Sequence, residues 1–268
     1  MCRTVGGVLA LLLALPAWGD DKPKDKPMRP QEQYQALLKE HDDAMKVFNE
    51  ALRQARTEEE KNKVLQEKSR SAGKLAPRFL ELAEKNPKAA AAVDALVWVV
   101  VNDRGGTGGE DSPRARAVAI LLKDHLRSEK LAPVCQKLAS GGDPGGEDLL
   151  RGILEKNPSK GGQGLACLSL AQRLKGRAEQ MPESQAQEAE KLRKESEELY
   201  ERARDRYGSV KLGPGTVGAT AKAELFELRF LSVGRVAPEV EGRDVDGKKF
   251  KLSDYRGKVV LLDFWGNW

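Results

Sequence analysis

The stretch that decides the fold of the C-terminal region is VVLLDFWGNW, residues Val259 to Trp268. From Val259 to Trp265 it is apolar except for Asp263. A nearly continuous apolar run of this length is typical of a β-strand that is buried on both faces, as in the centre of an α/β sheet. The sequence therefore predicts a central strand here, with a single carboxylate in it.

Two shorter strand-like runs precede this stretch. They extend from Glu239 to Val245 and from Lys248 to Leu252, and Asp246-Gly247 joins them. An Asp-Gly pair between such runs strongly indicates a β-hairpin, since glycine adopts the positive φ angles that tight hairpin turns require. Residues Ser253 to Gly257 predict a turn that leads into the apolar run. An α/β domain is therefore predicted to begin near residue 233.

These features occur in the order that characterises a known family. The segment from Gly234 to Trp268 resembles the start of a TlpA-like or redoxin domain, in the alkyl hydroperoxide reductase/thiol-specific antioxidant group of the thioredoxin superfamily. The matching residues are Val236-Ala237-Pro238, Asp246-Gly247-Lys248, Leu252 to Lys258 and the final ten residues. The resemblance covers about an eighth of the chain. It implies the β-hairpin and first central strand of an incomplete thioredoxin-like α/β domain, residues 233–268.

The resemblance also implies redox chemistry beside this strand. In the family, a strand ending in Phe-Trp-x-x-Trp runs directly into Cys-x-x-Cys, whose first cysteine attacks a disulfide as a thiolate. This chain contains no Cys-x-x-Cys pair, so we expect its catalytic cysteines to be missing. It retains three supporting positions: Asp263 corresponds to the family's buried carboxylate, and Trp265 and Trp268 to the aromatic shell of the site.

The function implied is that of an exported thiol-disulfide oxidoreductase or peroxide reductase. Its partners in the full-length form would be protein thiols and disulfides or a peroxide, and no cofactor is expected. The sequence predicts truncation just before the cysteine motif. A UGA codon after Trp268, read as selenocysteine in the cell, is one hypothesis for that truncation, and a UAA or UAG codon would exclude it. The alternative function is a non-catalytic helical scaffold or protein-binding module.

The N-terminus has the pattern of an export signal. Arg3 supplies a positive charge, Val5 to Leu15 is almost entirely apolar, and Ala17-Trp18-Gly19 places small residues where signal peptidase cleaves. We expect residues 1–19 to be removed by cleavage after Gly19, giving a periplasmic or secreted protein; an uncleaved anchor is the alternative. The apolar run is shorter than the roughly 20 residues of a membrane-spanning helix, so no stable membrane span is predicted.

Residues 20–30 are charged and rich in proline, which predicts a disordered linker. The domain that follows, residues 31–232, is predicted to be helical. Apolar side chains recur at helical spacing from Gln31 to about Arg56. Thr57, with Glu60 three residues later, predicts a capping box that opens a second helix. Further helices are predicted at Pro113 to Leu126, Glu147 to Leu154, Leu165 to Gln180, Ser184 to Tyr207 and Ala219 to Leu231.

Glycine and proline are expected to interrupt these helices. Gly73 and Pro77 should break or kink the second helix, since an interior proline removes a hydrogen bond and clashes with the preceding turn. Three glycine-rich stretches, residues 105–109, 141–146 and 161–164, are predicted to be connections between helices.

A weak internal repeat indicates a degenerate helical array. Lys74 to Pro77 recurs as Lys130 to Pro133, and Glu-Lys-Asn-Pro occurs at Glu84 and again at Glu155. The offsets of 56 and 71 residues differ, so the repeat has no fixed period. Such self-similarity is loosely like that of tetratricopeptide repeats, and chance recurrence in a chain rich in Ala, Leu and Lys is the alternative. An array of this kind would present a surface for a protein partner.

Cys135 and Cys167 remain after removal of the signal, and both lie at apolar helix positions. Buried free thiols, a structural disulfide between the two, and a redox role are the alternatives; export would favour the disulfide.

His41 lies on an apolar helical stripe and is predicted to be packed, while His125 is near a helix end. Neither the cysteines nor the histidines have metal-ligand spacing, so no metal site is predicted.

The charge distribution argues against nucleic-acid binding. The chain has 46 Lys and Arg against 41 Asp and Glu, a net charge of +5. Both signs are mixed along the chain, and we find no basic patch with interleaved aromatic residues. No nucleic-acid partner is therefore expected.

Overall fold

A computed structural model of the chain describes residues 27–103, 109–140, 142–263 and 266, with the backbone alone at 68–72. Within these ranges the chain is mostly helical, as predicted, and its strands form two small antiparallel hairpins. The signal predicted for residues 1–19 and most of the linker predicted for residues 20–30 lie outside the described residues. The glycine-rich stretch at 105–109 lies outside them except for Gly109.

Nine α-helices occur in the described ranges. They are α1 (Pro30–Gln54), α2 (Glu58–Lys85), α3 (Ala90–Asn102), α4 (Pro113–Asp124), α5 (Ala132–Leu138), α6 (Gly146–Lys156), α7 (Lys160–Gln180), α8 (Ala186–Tyr207) and α9 (Val217–Phe226). A π-helical turn, Glu227–Leu231, extends α9. The strands β1 (Lys211–Leu212) and β2 (Gly215–Thr216) pair between α8 and α9, and β3 (Glu241–Arg243) pairs with β4 (Lys249–Lys251) near the C-terminus.

Capping side chains fix several helix starts where the sequence predicts them. The Glu60 backbone N–H donates to the Thr57 hydroxyl at 3.2 Å, and the Thr57 N–H donates back to the Glu60 carboxylate at 3.1 Å. This is the predicted capping box at the start of α2. At α4, the Ala115 N–H donates to the Ser112 hydroxyl at 3.2 Å. The Glu60 and Ala115 N–H groups, in the first turns of these helices, therefore have acceptors.

Of the break or kink predicted at Gly73 and Pro77, the break does not occur, and the kink stays a prediction. Helix α2 is continuous from Glu58 to Lys85 and contains both residues. Proline removes one backbone hydrogen bond, but Leu75 and Phe79 on either side of it are almost fully buried. Burial of these side chains in the core offsets the loss of one bond, so tertiary packing overrides the local preference.

The glycine-rich stretch at 161–164 is also helical rather than a connection. Helix α7 begins at Lys160, because the Ser159 hydroxyl accepts from the Gly162 N–H at 3.3 Å and caps the helix there. Gly164 lies against α8, where an added Cβ would be 2.9 Å from the Cβ of Tyr207. This glycine allows close approach of α7 and α8, which accounts for its place inside a helix.

Aromatic side chains join the first three helices. The rings of Phe79 on α2 and Trp98 on α3 are stacked with centroids 4.0 Å apart, and Tyr34 on α1 meets Phe79 edge-on at 5.8 Å. His41 packs edge-on against Trp98 at 5.1 Å. This agrees with the packed position predicted for His41, and His125 lies at the C-cap of α4.

The two copies of Lys-Leu-Ala-Pro lie in different local structures. The first is in the interior of α2, and the second forms a 3₁₀ turn, Glu129–Leu131, and the start of α5. Corresponding positions are nevertheless buried in both: Leu75 with Leu131, and Phe79 with Cys135. One continuous apolar core includes both copies and extends as far as Leu228.

Candidate functional site

The C-terminal segment contains the predicted β-hairpin. Strands β3 and β4 pair antiparallel, with Glu241 opposite Lys251 and Gly242 opposite Phe250. The Phe250 ring lies across Gly242, where an added Cβ would be 2.9 Å from it. The strands are shorter than the predicted runs from Glu239 to Val245 and from Lys248 to Leu252.

Asp244 holds the turn between the two strands. Its carboxylate oxygen Oδ1 accepts from the N–H of Asp246 at 3.0 Å and from the N–H of Lys248 at 2.8 Å. Gly247 has a φ of +78°, which glycine adopts without steric cost. The Asp-Gly pair therefore lies in the hairpin connection, as the sequence predicts.

A short 3₁₀ turn, Leu252–Tyr255, follows β4 and is tied back to the hairpin. The Ser253 N–H donates to the Glu239 carboxylate at 2.9 Å, and the Lys251 N–H donates to Asp254 at 2.9 Å. Hydrogen bonding from the Ser253 side chain, and then from its backbone N–H, holds the pKa of Glu239 below its usual value, since both stabilise the charged form. Gly257, with a φ of +83°, ends this turn. The order hairpin, turn, apolar run is thus the predicted order.

The central strand predicted from Val259 to Trp265 is not formed in the described residues. Residues 259–263 belong to no strand, and Val259 and Leu261 are 102% and 92% exposed. A strand that is buried on both faces needs neighbouring strands and covering helices. None of the described residues supplies them here, so the apolar pattern alone does not produce a strand.

Of the three supporting site positions, Asp263 lies in the described part of the chain. Asp263 is exposed, rather than buried as its counterpart in the family would be. Trp265 and Trp268 lie outside the described residues. The redox site predicted beside Val259 to Trp265 therefore stays a prediction from the sequence.

Cys135 and Cys167, for which the sequence left structural and redox roles open, are both free and buried. Burial raises the pKa of Cys135 to about 12 and that of Cys167 to about 11, since desolvation disfavours the thiolate. The Cys167 thiol donates to the carbonyl oxygen of Leu199 at 3.3 Å. The structure thus has the predicted buried thiols, and the alternative disulfide between them is not formed.

Sequence reasoning missed a group of buried charges between the helices. Arg114 forms a salt bridge with Asp143 and donates to the carbonyl oxygen of Asp103 at 2.7 Å. Arg173 donates to the carbonyl oxygens of Leu138 and Asp143, each at 3.0 Å. In a chain this rich in Arg and Lys, no local pattern distinguishes these two arginines from solvated ones. Within the described part of the chain, no group of His, Cys, Asp and Glu could hold a metal ion.

Comparison with known proteins relates a short part of the chain to thiol-disulfide oxidoreductases. The chain is 43% identical to thiol-disulfide oxidoreductase ResA of Geobacillus thermodenitrificans over 53 residues, which are 19% of this chain and 30% of that protein. It is 40% identical over 55 residues to ResA of Bacillus anthracis, and 47% identical over 38 residues to ResA of Bacillus subtilis. These alignments cover 20% and 14% of this chain, and 32% and 21% of the two relatives.

The chain therefore spans about a third or less of these relatives. No protein-family model matches it, and neither does any solved structure. The partial similarity supports a relationship to the thioredoxin-like oxidoreductases. None of the helices in the described ranges is long and apolar enough to cross a membrane.

Proposed function

We propose that the segment 233–268 is the first part of a TlpA-like or redoxin domain, and that the chain belongs to an exported thiol-disulfide oxidoreductase or peroxide reductase. The similarity to ResA carries this proposal, together with the order of hairpin, turn and apolar run. Asp263, Trp265 and Trp268 would then stand beside the redox site of the complete domain. Its substrates would be protein thiols and disulfides or a peroxide.

This chain alone is proposed to be inactive in that chemistry. A reactive cysteine needs an accessible thiolate, and Cys135 and Cys167 are buried, unpaired and protonated at neutral pH. Export through the predicted signal at residues 1–19 would place the protein in the periplasm or outside the cell. There the redox conditions suit disulfide exchange.

A segment exchange tests the family assignment. Residues 234–268 of this chain replace the aligned segment of Geobacillus thermodenitrificans ResA, and the hybrid is assayed for reduction of insulin disulfides. If the segment is thioredoxin-like, the hybrid folds and retains disulfide reductase activity. A matched control hybrid carries residues 31–65, a helical segment of equal length, and should lose the activity. Equal loss in both hybrids would refute the family assignment. Disulfide reduction by the purified 268-residue chain would instead refute the proposal that this chain alone is inactive.

A non-catalytic binding module is the second candidate, for the helical domain at residues 31–232. One observation favours this candidate. Cys135 aligns with Phe79 in the internal repeat, and both side chains are buried in the core. A degenerate array of helical hairpins, loosely like tetratricopeptide repeats, would use such positions for packing and its outer faces for a protein partner. Under this candidate, the helical domain binds a protein partner, and the C-terminal segment takes no part in catalysis.

A further inference from the structure

Helices α1 and α2 form an arm, residues 38–74, in which the core of the helical domain does not continue. None of the side chains described in this range is buried, whereas Leu37 and Leu75 on either side of it are. At the base of the arm, His41 meets Trp98 of α3 edge-on at 5.1 Å. Beyond that contact, α1 and α2 cover each other only in part. The arm is far in sequence from the segment 233–268, and it is independent of the proposed redox function.

Apolar side chains of the arm stay partly uncovered. Met45 and Leu52 on α1 are half-buried, and Leu65 on α2 is 40% exposed. Two antiparallel helices bury their apolar faces more completely when a second pair covers them, as in a four-helix bundle. A second helical pair is therefore the kind of surface that suits this arm.

A line of polar side chains runs along the same part of α1. Asp42, Asn49 and Arg56 are exposed and follow one another at intervals of seven residues. Seven residues are close to two helical turns, so Asp42 and Asn49 lie on one face, and Arg56 follows the C-cap at the end of the helix. Met45 and Leu52 each lie about 60° around the helix from this face, so the apolar and polar lines are neighbours.

The charges at the two ends of this line lack ionic partners in the described part of the chain. Lys46, which lies one turn after Asp42, is paired with Asp43 at 2.9 Å instead. The backbone N–H of Arg56 donates to Glu60 at 2.8 Å, but the Arg56 guanidinium forms no salt bridge within the described ranges. One end of the line therefore carries an unpaired carboxylate and the other an unpaired cation, roughly 20 Å apart along the axis.

We propose that the arm pairs with the arm of a second copy of this chain, α1 against α1 in antiparallel orientation, about a two-fold axis near Asn49. Asn49 is midway between Asp42 and Arg56, so this symmetry places the carboxylate of each copy opposite the guanidinium of the other. It also brings Met45 close to the second copy's Leu52, because these two residues are centred at almost the same point. Charge and apolar surface are thus both self-complementary, as a two-fold interface requires. This complementarity favours a second copy over an unrelated partner.

Sedimentation equilibrium of the purified 268-residue chain tests the proposal. The variant Val259→Lys, Leu261→Lys serves as the parent, which excludes association through the exposed apolar residues 259–262. A dimer with a dissociation constant of about micromolar is expected, and salt should weaken it because exposed charges are screened. A parent that is monomeric at about 100 μM would refute the proposal.

Charge variants test the antiparallel arrangement. Asp42→Arg and Arg56→Asp should each weaken the dimer about ten-fold, because the two-fold axis turns two attractive contacts into two repulsive ones. The two changes together should restore the dissociation constant to within about two-fold of the parent. Both side chains are exposed, so the fold should not be affected. A combined variant that is no tighter than the single ones would refute the pairing.

A cysteine at the proposed axis gives an independent check, in the same parent with Cys2→Ser added. Asn49→Cys should form an intermolecular disulfide on oxidation, since a residue beside a two-fold axis faces its own copy. Val47→Cys, on the opposite face of α1 and 71% exposed, is the matched control and should stay monomeric on a non-reducing gel. Equal cross-linking at the two positions, or none in Asn49→Cys, would overturn the proposed axis.

Discussion

At the scale of single residues, burial gives the two cysteines a structural rather than a chemical role. Cys135 and Cys167 are both 0% exposed, and only Cys167 makes a hydrogen bond, to the Leu199 carbonyl. Cysteine in such a place behaves as a small apolar side chain. The raised pKa of each thiol means that neither forms a thiolate near neutral pH. The same burial links these residues to the pH dependence of stability.

We predict that the protein loses stability as the pH rises above about 8.5, where thiols of the unfolded chain ionise. The folded thiols stay protonated up to about pH 11 for Cys167 and about 12 for Cys135. Between these limits the unfolded chain binds fewer protons, so each thiol lowers the free energy of unfolding by up to about 1.4 kcal/mol per pH unit. Urea denaturation between pH 8 and 10.5 measures this slope.

The double variant Cys135→Ala, Cys167→Ala is the control for that slope. It should be less stable than the parent at pH 7, because small cavities replace the sulfur atoms. Its stability should nevertheless fall less steeply with pH. Equal slopes in the two proteins would mean that groups other than these thiols govern the alkaline transition.

At the scale of elements, the packing of α7 on the end of α8 depends on a single glycine. An added Cβ at Gly164 on α7 would lie 2.9 Å from Tyr207 Cβ and 3.0 Å from Val210 Cγ2. Neither atom is at the end of a flexible side chain, so α7 and the end of α8 would have to separate. We therefore predict that Gly164→Ala lowers the free energy of unfolding by about 1–3 kcal/mol, measured by urea denaturation.

Gly73→Ala is the matched control, since Gly73 also lies inside a helix. Nothing in the structure is within 4 Å of a Cβ added there. Alanine should therefore raise the free energy of unfolding by about 0.5–1 kcal/mol through its higher helix propensity. A stabilising Gly164→Ala would contradict the close packing of α7 on α8.

The same elements show what the sequence could and could not predict. Caps act between neighbouring residues, so Thr57 and Ser112 identified their helix starts correctly, and Asp246-Gly247 identified the hairpin turn. Pro77 was misleading because its local cost is outweighed by core contacts from residues distant in the chain. The buried positions of Arg114 and Arg173 could not be predicted, since they depend on how several helices pack and not on the spacing of residues within one.

At the scale of the whole molecule, burial divides the chain into two unequal parts. The core includes residues of every α-helix and ends at Leu228, and no described residue after it is buried. The hairpin at β3 and β4 is held by its own backbone bonds and turn side chains. Val259 to Leu262 extend from it with apolar side chains facing solvent. The helical part thus has a core of its own, whereas the described residues after Leu228 form none.

This asymmetry predicts self-association through the C-terminal segment. Consecutive exposed apolar residues with high β-propensity and no charge favour intermolecular strand pairing. The variant Val259→Lys, Leu261→Lys changes two side chains that are 102% and 92% exposed, so it should not alter the stability of the folded protein. It should instead reduce association of the purified chain, measured as the concentration dependence of light scattering.

Val47→Lys is the control for that experiment. Val47 is 71% exposed on α1 and stands away from the C-terminal segment in sequence. The variant therefore adds one positive charge, where the double variant adds two, without touching the apolar run. It should leave light scattering close to that of the parent, because single exposed apolar residues do not form an association surface. If Val47→Lys reduced association as much as the double variant, added charge in general, and not the uncovered apolar run, would be responsible.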